Sequence, residues 1–490
     1  MKDTTLGALK KSGYKYKSIK DELRDNLIDC IKNKKTVFEG IYGYENTVLP
    51  DLQRAILSKH NINLLGLRGQ AKTRLARQMV NLLDEYIPVV KGSELNDDPL
   101  NPISNYAKNL IQELGNKTPI EWLHRNDRYA EKLATPDVSV ADLIGDVDPI
   151  KAANLRLSYA DERVIHYGII PRSNRSIFVI NELPDLQARI QVALFNILQE
   201  GDIQIRGFKV RIPLDMEFIF TANPEDYTNR GSIVTPLKDR IGSQILTHYP
   251  KTAELSMKIT KQEAKLSESQ KANINISHLL YMIIEQVAIE ARESEYVDAK
   301  SGVSARLTIS ALENLASAIE LRMLLSGEKK ANARIADLSG ILPAINGKIE
   351  LVYEGEQEGA AVVAQNLISK ALRNMFVQHF PDPALLKKKK DTSPYQHVTS
   401  WFTSGNALEL LYDDSEKVYR KKLDSIPGLA AVVETYVKNL TKDELYSWME
   451  FVLHALAEHS QLGKQQLEGS NKFSDLFGSL FNEKNWDMEE

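Results

Sequence analysis

The sequence predicts an α/β fold with a parallel sheet, followed by a helical region, and three observations predict it. Short apolar runs suited to buried strands occur in NINLLGL, SIFVI and MEFIFTA. The first two are each followed by a turn and then by apolar residues at helical spacing. Beyond about residue 250 the pattern changes to amphipathic helices such as ISHLLYMIIEQVAIEA. A chain of 490 residues exceeds one ordinary core, so two or three domains are expected.

Composition narrows the class before any motif is read. At 43% hydrophobic and 26% charged residues, the chain reads as a water-soluble globular protein. The net charge of −4 gives no global argument for nucleic acid or an anionic membrane. Cys30 is the single cysteine, which excludes a disulfide framework and a cysteine-rich metal site. The opening MKDTTLGALKKSGYKYK has no apolar segment long enough for a secretory signal. No run of eighteen apolar residues exists, so no membrane span is expected. A reducing cytoplasm is the expected location.

Residues 1–35 read as a charged helical leader, and 36–250 as the α/β domain. The strand NINLLGL leads into GLRGQAKT, residues 66–73, and then into TRLARQMVNLL. Leu75, Ala76, Met79, Val80 and Leu83 share one helical face. Strand, glycine-rich loop, Lys-Thr and helix in that order suit phosphate binding. Gly66 and Gly69 let successive N–H groups turn inward, and the helix N-terminus adds favourable partial charge. Leu67, Arg68, Gln70 and Ala71 complete the loop backbone. Lys72 would neutralise the β- and γ-phosphates, and the Thr73 hydroxyl would ligate magnesium. Ala71 stands where the pattern G-x-x-x-x-G-K-[ST] has its last glycine. It adds only a methyl group, provided its φ stays negative.

About 110 residues on, SIFVI ends in Asn181-Glu182. Pro184 then opens a helix with Leu186, Ile190, Ala193, Leu194, Ile197 and Leu198 buried, closed by Gly201. An acidic pair at such a strand end holds magnesium and activates water. Glu182 would be the general base, while Asn181 keeps an oxygen for a magnesium-bound water and lacks the charge. The strand over residues 216–222 ends at Asn223, an amide suited to holding the attacking water. Arg240 follows a short helical turn and would reach a neighbouring subunit's nucleotide as an arginine finger. Arg306 lies just ahead of a helix, for which Ser310 and Glu313 form a candidate capping box.

Together these residues resemble an AAA+ ATPase of the MoxR and magnesium-chelatase I-subunit group, the helix-2-insert clade, over about residues 36–325. The loop G-x-x-G-x-A-K-T is a common variant in MoxR-type proteins, so Ala71 is part of the match. By this resemblance Gly66, Gly69, Lys72 and Thr73 form Walker A, and Asn181 and Glu182 occupy Walker B. Asn223 in TANPE matches sensor 1, Arg240 in LKDRIG the arginine finger and Arg306 in SARL sensor 2. FEGIYGYENTVLPDLQRAI resembles the motif that packs on adenine, with Gly43 at its turn. Residues 135–170 and GDIQIRGFKVRIPLDMEF sit where this group carries an inserted strand pair and a hairpin.

The resemblance implies an AAA+ P-loop core, a helical lid, bound ATP and Mg2+, and a homo-oligomeric, hexameric ring. It also implies a chaperone-like motor that remodels a partner with a von Willebrand factor A-type domain, for metal or cofactor insertion or for maturation. This chain lacks the D-x-S-x-S motif of such a partner, so the partner would be a separate protein. Two alternatives stay open: a true magnesium-chelatase subunit, and a nucleotide-gated, non-hydrolysing scaffold suggested by Asn181. An activator of the enhancer-dependent sigma-factor type is disfavoured, because GAFTGA is missing.

The remainder is expected to be a helical lid and extension over 251–380, a linker over 381–396 and a helical region over 397–490. Residues 92–135 read as a long polar insert, helical in part. KIELVYEGEQEGA reads as a strand with an acidic loop. The four lysines of the linker read as a solvated run, with nucleic acid not expected. TKDELYSWMEFVLHALAEH starts with a capping box, Thr441 and Glu444, and continues as an amphipathic helix. The tail FSDLFGSLFNEKNWDMEE reads as a docking segment or a packed end.

Overall fold

The computed structural model describes residues 4–158, 161–205, 211–224, 232–389, 393–467 and 469–476. They fall into two compact units, residues 1–249 and 250–490.

The first unit is built on five parallel strands: Ile62–Leu65 (β1), Tyr129–Leu133 (β2), Ser176–Asn181 (β3), Met216–Ala222 (β4) and Ser243–Leu246 (β5). Their order in the sheet is β5-β1-β4-β3-β2. One face carries Ile62, Leu64, Ile177, Val179 and Ile219, packed with Leu75, Ala76 and Met79 of the helix that follows the loop. The other face carries Phe178, Ile180, Phe218 and Phe220, packed with Leu183, Ile190 and Leu194. Burial on both faces explains why β3 and β4 are continuous apolar runs rather than alternating ones. This is the expected α/β class with a parallel sheet.

The leader belongs to this unit. Its helices are Leu6–Lys11 and Ile19–Lys32, and Leu23 and Leu27 share a core with Leu52 and Ile56. Buried Arg128 makes two parallel bonds to the Glu22 carboxylate, at 2.7 and 2.6 Å. Arg128 donates a further bond to the Arg175 carbonyl. Such fork geometry offsets the desolvation that would otherwise penalise a buried arginine.

Antiparallel pairs decorate the sheet. Gly145–Val147 pairs with Ile165–Tyr167, and Asp202–Gln204 with Arg211–Pro213, within the two segments expected to carry such pairs. Residues 206–210 lie outside the described residues. The polar insert over 92–135 is helical in part, as expected. It holds the helix Asn105–Leu114, the strand Ile120–His124 paired with Tyr86–Val90, and β2 itself. The helix expected from Pro184 starts later. Leu183–Asp185 is a 3-10 turn, and Ala188–Ala193 and Phe195–Glu200 follow as two short helices, the second closed by Gly201 at φ 69°.

The second unit has one continuous core, from Leu279 to Phe473. Its main helices are Ala253–Glu263, His278–Glu293, Arg306–Ser326, Ala360–His379 and Lys442–Glu458. The Thr441–Glu444 capping box is present, and the helix it opens is buried on all sides from Tyr446 to Leu456. That position at the centre of the core explains why its apolar stripe is wider than one face. Leu408–Leu411, Gly463–Leu467 and Ser470–Ser474 add a three-stranded antiparallel sheet that the helical reading did not include.

Three further expectations change. Ser310 and Glu313 lie inside the helix Arg306–Ser326 and do not cap it; Glu313 accepts the Lys265 N–H instead, at 2.8 Å. Within KIELVYEGEQEGA, only a single bridge at Leu351 is extended, and Tyr353–Glu358 is helical. In 381–396, Pro383–Lys389 is helical and Tyr395 is buried, donating to the Pro381 carbonyl at 2.6 Å. Residues 477–490 of the tail and Lys390 of the lysine run lie outside the described residues.

Candidate functional site

The loop of residues 66–71 emerges from β1 and hands over to the helix Lys72–Gln78. Its shape is set from outside. Tyr44 is buried and donates its hydroxyl to the carbonyls of Gln70, at 3.0 Å, and His248, at 2.8 Å. Burial pushes the Tyr44 phenol up to about 12, so it stays a donor. Tyr249 donates to the Arg68 carbonyl at 3.0 Å. The Thr247 hydroxyl donates to the Gln70 side-chain oxygen at 2.7 Å, and Gln70 is itself buried. A Cβ at Gly66 would collide with both Thr247 and Gln70, so only glycine fits there. Gly43 turns the chain into Tyr44 at φ 80°, and Gly69 curls the loop at φ 75°.

Ala71 does not meet the condition of a negative φ. Its φ is +55° and ψ +18°, the left-handed conformation that a glycine adopts without penalty. The tight turn into the helix demands that conformation whatever side chain is present. An L-residue there costs roughly 1–2 kcal/mol. Glu182 is held in the same region, at φ 57° and ψ 49°. Left-handed non-glycine residues thus occur at both motifs, as they do at seven other described positions, Lys34 and Arg175 among them.

The side chains of the two motifs meet through β4, the strand between them. Lys72 Nζ donates to the carbonyls of Gly66 and Leu67, the latter at 2.9 Å, and to Asn223 Oδ1 at 2.8 Å. The Thr221 hydroxyl donates to Asn181 Oδ1 at 3.2 Å and accepts the Glu182 N–H at 3.1 Å. Lys72, Asn223, Asn181 and Glu182 thus cluster at the C-terminal ends of β1, β3 and β4, where open parallel sheets bind ligands. Thr73 is exposed in the first turn of the loop helix.

Two predicted residues stand apart from this cluster. Arg240 ends the helix Thr235–Arg240, donates to Gln199 Oε1 at 3.0 Å and the Pro236 carbonyl at 2.7 Å, and lies over the Phe195 ring at 4.8 Å. None of those partners is a loop residue. Arg306 is exposed and begins a helix of the second unit.

The sequence reading missed Thr221, Thr247, Tyr249 and the hydroxyl of Tyr44. It also missed Glu131 on β2, whose carboxylate pairs with Arg77 of the loop helix. Thr221 lies two residues before Asn223 in a strand already singled out, so strand alternation would have placed it on the same face. For the others no local signal exists, because they reach the loop only through the fold. Asn181 and Glu182, adjacent at the end of β3, offer oxygen donors that suit a hard cation. Among the described residues no group of three or more His, Cys, Asp or Glu would hold a metal on its own.

No family model matches this sequence, and no curated protein matches it. Among solved structures the chain is similar to a putative ATPase from Cytophaga hutchinsonii, at 17% identity over 75% of this chain and 98% of that one, with a TM-score of 0.30. It is similar to a complex of the magnesium-chelatase subunits BchI and BchD, at 18% identity over 63% of this chain and 95% of that one, with a TM-score of 0.33. It is also similar to NtrX from Brucella abortus in complex with ADP, at 12% identity over 77% and 72%, with a TM-score of 0.37. The α/β core is established by the chain's own strand order and register.

Proposed function

We propose that the chain is an ATP-hydrolysing AAA+ motor of the MoxR or magnesium-chelatase type, assembled as a homo-oligomeric ring. The observation that carries this reading is the bond from Lys72 to Asn223, which joins two motifs 151 residues apart at one strand end. In this reading the N–H groups of the loop and the first helical turn cradle the phosphates. Lys72 exchanges its two carbonyl partners and Asn223 for the β- and γ-phosphate oxygens. That exchange releases the Asn223 side chain to orient a water.

Glu182 accepts the proton as the water oxygen bonds to the γ-phosphorus and the bond to the departing ADP oxygen breaks. Thr73 and Asn181 would hold magnesium, which when bound neutralises charge on the β- and γ-phosphates. Arg240, kept at the surface by Gln199 and Phe195, compensates charge on a neighbouring subunit's nucleotide. Arg306 serves as the second nucleotide sensor. A separate partner with a von Willebrand factor A-type domain is the proposed substrate of the motor.

The test measures ATP hydrolysis against protein concentration, with molar mass by light scattering in the same samples. The rate per subunit should rise as rings assemble, and Lys72→Ala should abolish it. Glu182→Gln should assemble and hold ATP while turning over slowly. Asn181 favours a second reading, a nucleotide-gated scaffold. ATP-dependent assembly with no turnover at any concentration would select it.

A further inference from the structure

Residue 71 is pinned on both sides. On its N-terminal side the Tyr44 hydroxyl donates to the Gln70 carbonyl at 3.0 Å, which fixes the peptide plane joining residues 70 and 71. On its C-terminal side the Leu75 N–H donates to the Ala71 carbonyl at 2.9 Å, which fixes the plane joining 71 and 72. Two planar peptides are separated by only two rotations, so these bonds together set φ and ψ of Ala71. The values they impose, +55° and +18°, are those an alanine disfavours.

Tyr44 is itself firmly held. It is buried, its hydroxyl proton is shared with the His248 carbonyl at 2.8 Å, and its ring meets the His248 ring edge-on at 5.0 Å. The His248 ring nitrogens lie 2.8 Å from the Thr47 hydroxyl and 2.8 Å from the Tyr249 carbonyl. The hydroxyl that holds Gln70 therefore has a fixed origin.

In a trans peptide the carbonyl and the following N–H point to opposite sides, and no peptide bond here is cis. Holding the Gln70 carbonyl at Tyr44 thus turns the Ala71 N–H away from Tyr44. Tyr249 acts in the same way two residues earlier, where its bond to the Arg68 carbonyl at 3.0 Å turns the Gly69 N–H away. Among the described residues neither N–H donates to a protein acceptor. The two positions differ in what they need. Gly69 reaches its φ of 75° without help, and Ala71 at 55° does not.

We infer that Tyr44 stands in for the glycine missing at 71: its hydroxyl imposes on Ala71 the left-handed turn that a glycine would adopt unaided, and so aims the Ala71 N–H at bound phosphate. This rests on the reading of the site as an ATPase. Tyr44 is a positioning residue. Without its hydroxyl, Ala71 returns to negative φ in most molecules, and affinity falls by the fraction that keeps the turn. For alanine that fraction is roughly one in ten. A glycine populates both signs of φ about equally, so there the loss is only about twofold.

The test is a double-mutant cycle on Tyr44→Phe and Ala71→Gly, with Tyr249→Phe in both backgrounds as the contrast. ADP binding is measured by calorimetry, and thermal unfolding without nucleotide checks folding. Phenylalanine at 44 keeps the ring and its contact with His248, and loses only the hydroxyl. Tyr44→Phe should weaken ADP binding on the order of 10-fold. In the Ala71→Gly background the same change should cost only about twofold, and Tyr249→Phe about twofold in either background.

An equal loss from Tyr44→Phe in both backgrounds would overturn the inference, because a tyrosine that merely supports the core or touches the nucleotide is not relieved by a glycine at 71. Unfolding of Tyr44→Phe that Ala71→Gly does not relieve would overturn it too, as would relief of Tyr249→Phe by the same glycine. If Tyr44→Phe binds ADP as tightly as the unaltered chain while Lys72→Ala binds none, this role of Tyr44 falls and the ATPase reading stands. If the unaltered chain binds neither ADP nor ATP, the ATPase reading falls and takes the inference with it.

Discussion

Each unit of this chain contains a knot of polar side chains, and the two are built in opposite ways. In the second unit the Glu450 carboxylate is fully buried and accepts the N–H groups of Ile335, at 2.7 Å, and Ala336, at 3.1 Å, with the Tyr419 hydroxyl at 2.9 Å. Arg334 stacks over the Tyr419 ring at 4.2 Å, and Arg322 makes two bonds of 2.9 Å to Asp337. Every member is sealed from solvent, and Glu450 caps the first turn of a 3-10 helix. Such a knot orders structure. In the first unit Lys72, Asn181, Glu182 and Asn223 are half exposed, and the backbone is strained at Ala71 and Glu182. Buried charge alone therefore does not mark a site.

That contrast predicts that substitutions in the first knot change rate and leave stability, while those in the second do the reverse. The largest expected effect is on rate. Arg240→Ala should lower turnover on the order of 10³-fold with ATP binding intact. Steady-state hydrolysis beside equilibrium nucleotide binding checks this, and unchanged turnover would remove Arg240 from the proposed role.

Glu450→Ala should be the largest effect on stability. It leaves two buried N–H groups and the Tyr419 hydroxyl without their acceptor, at a cost of about 3–5 kcal/mol. Denaturant unfolding followed by the fluorescence of Trp448 and Trp401 would read it. A loss below about 1 kcal/mol, the size of an ordinary exposed pair, would break the comparison from this side.

A third acid sharpens the comparison within the first unit. Glu217 lies near the N-terminal end of β4, away from the cluster, and burial pushes its carboxyl up to about 8, although Lys20 Nζ lies 3.9 Å away and pulls it down. The fold thus holds Glu217 protonated over much of the ordinary pH range. Its contribution should be complete below about pH 4.5 and fade as pH rises through about 8, by on the order of 2–4 kcal/mol. Glu217→Gln, which keeps the neutral form, should flatten that slope. An unfolding curve that keeps its slope between pH 5 and 8, taken as about the interval of the shift, would show that Lys20 prevails.

The smallest effect concerns the strain itself. Ala71→Gly removes a Cβ from a left-handed residue and adds freedom to the unfolded chain, so the net gain should be about 0.5–1 kcal/mol. Thermal unfolding would detect it as a rise in midpoint. A fall would mean that the Ala71 methyl, which packs against the core under the loop, contributes more than the strain removes.

Much of the first knot is legible without a structure. Gly66, Gly69 and Lys72 announce themselves through a glycine-rich spacing, and Asn181, Glu182 and Asn223 through the ends of apolar runs. Those runs are readable because β3 and β4 are buried on both faces, which leaves no alternation to confuse with a helix. By the same reasoning β2 is illegible. Tyr129–Leu133 is an edge strand, half exposed along its length, and edge strands carry charges such as Glu131 and Lys132 that hide them among loops. The short strands at 408–411, 463–467 and 470–474 escape notice for a related reason, since residues 465, 466, 471 and 472 are polar.

By itself, then, the sequence determined the α/β class, the capping of the helix at Thr441, and the chemical identity of the loop and strand-end residues, because these follow from local spacing and residue type. Only the tertiary structure decided the sign of φ at Ala71, the hold of Tyr44, Thr247 and Tyr249 on the loop, and the ion pair of Glu131 with Arg77. Each of these depends on which strands become neighbours and in what register, and register is a long-range property of the sheet that no window of neighbouring residues contains.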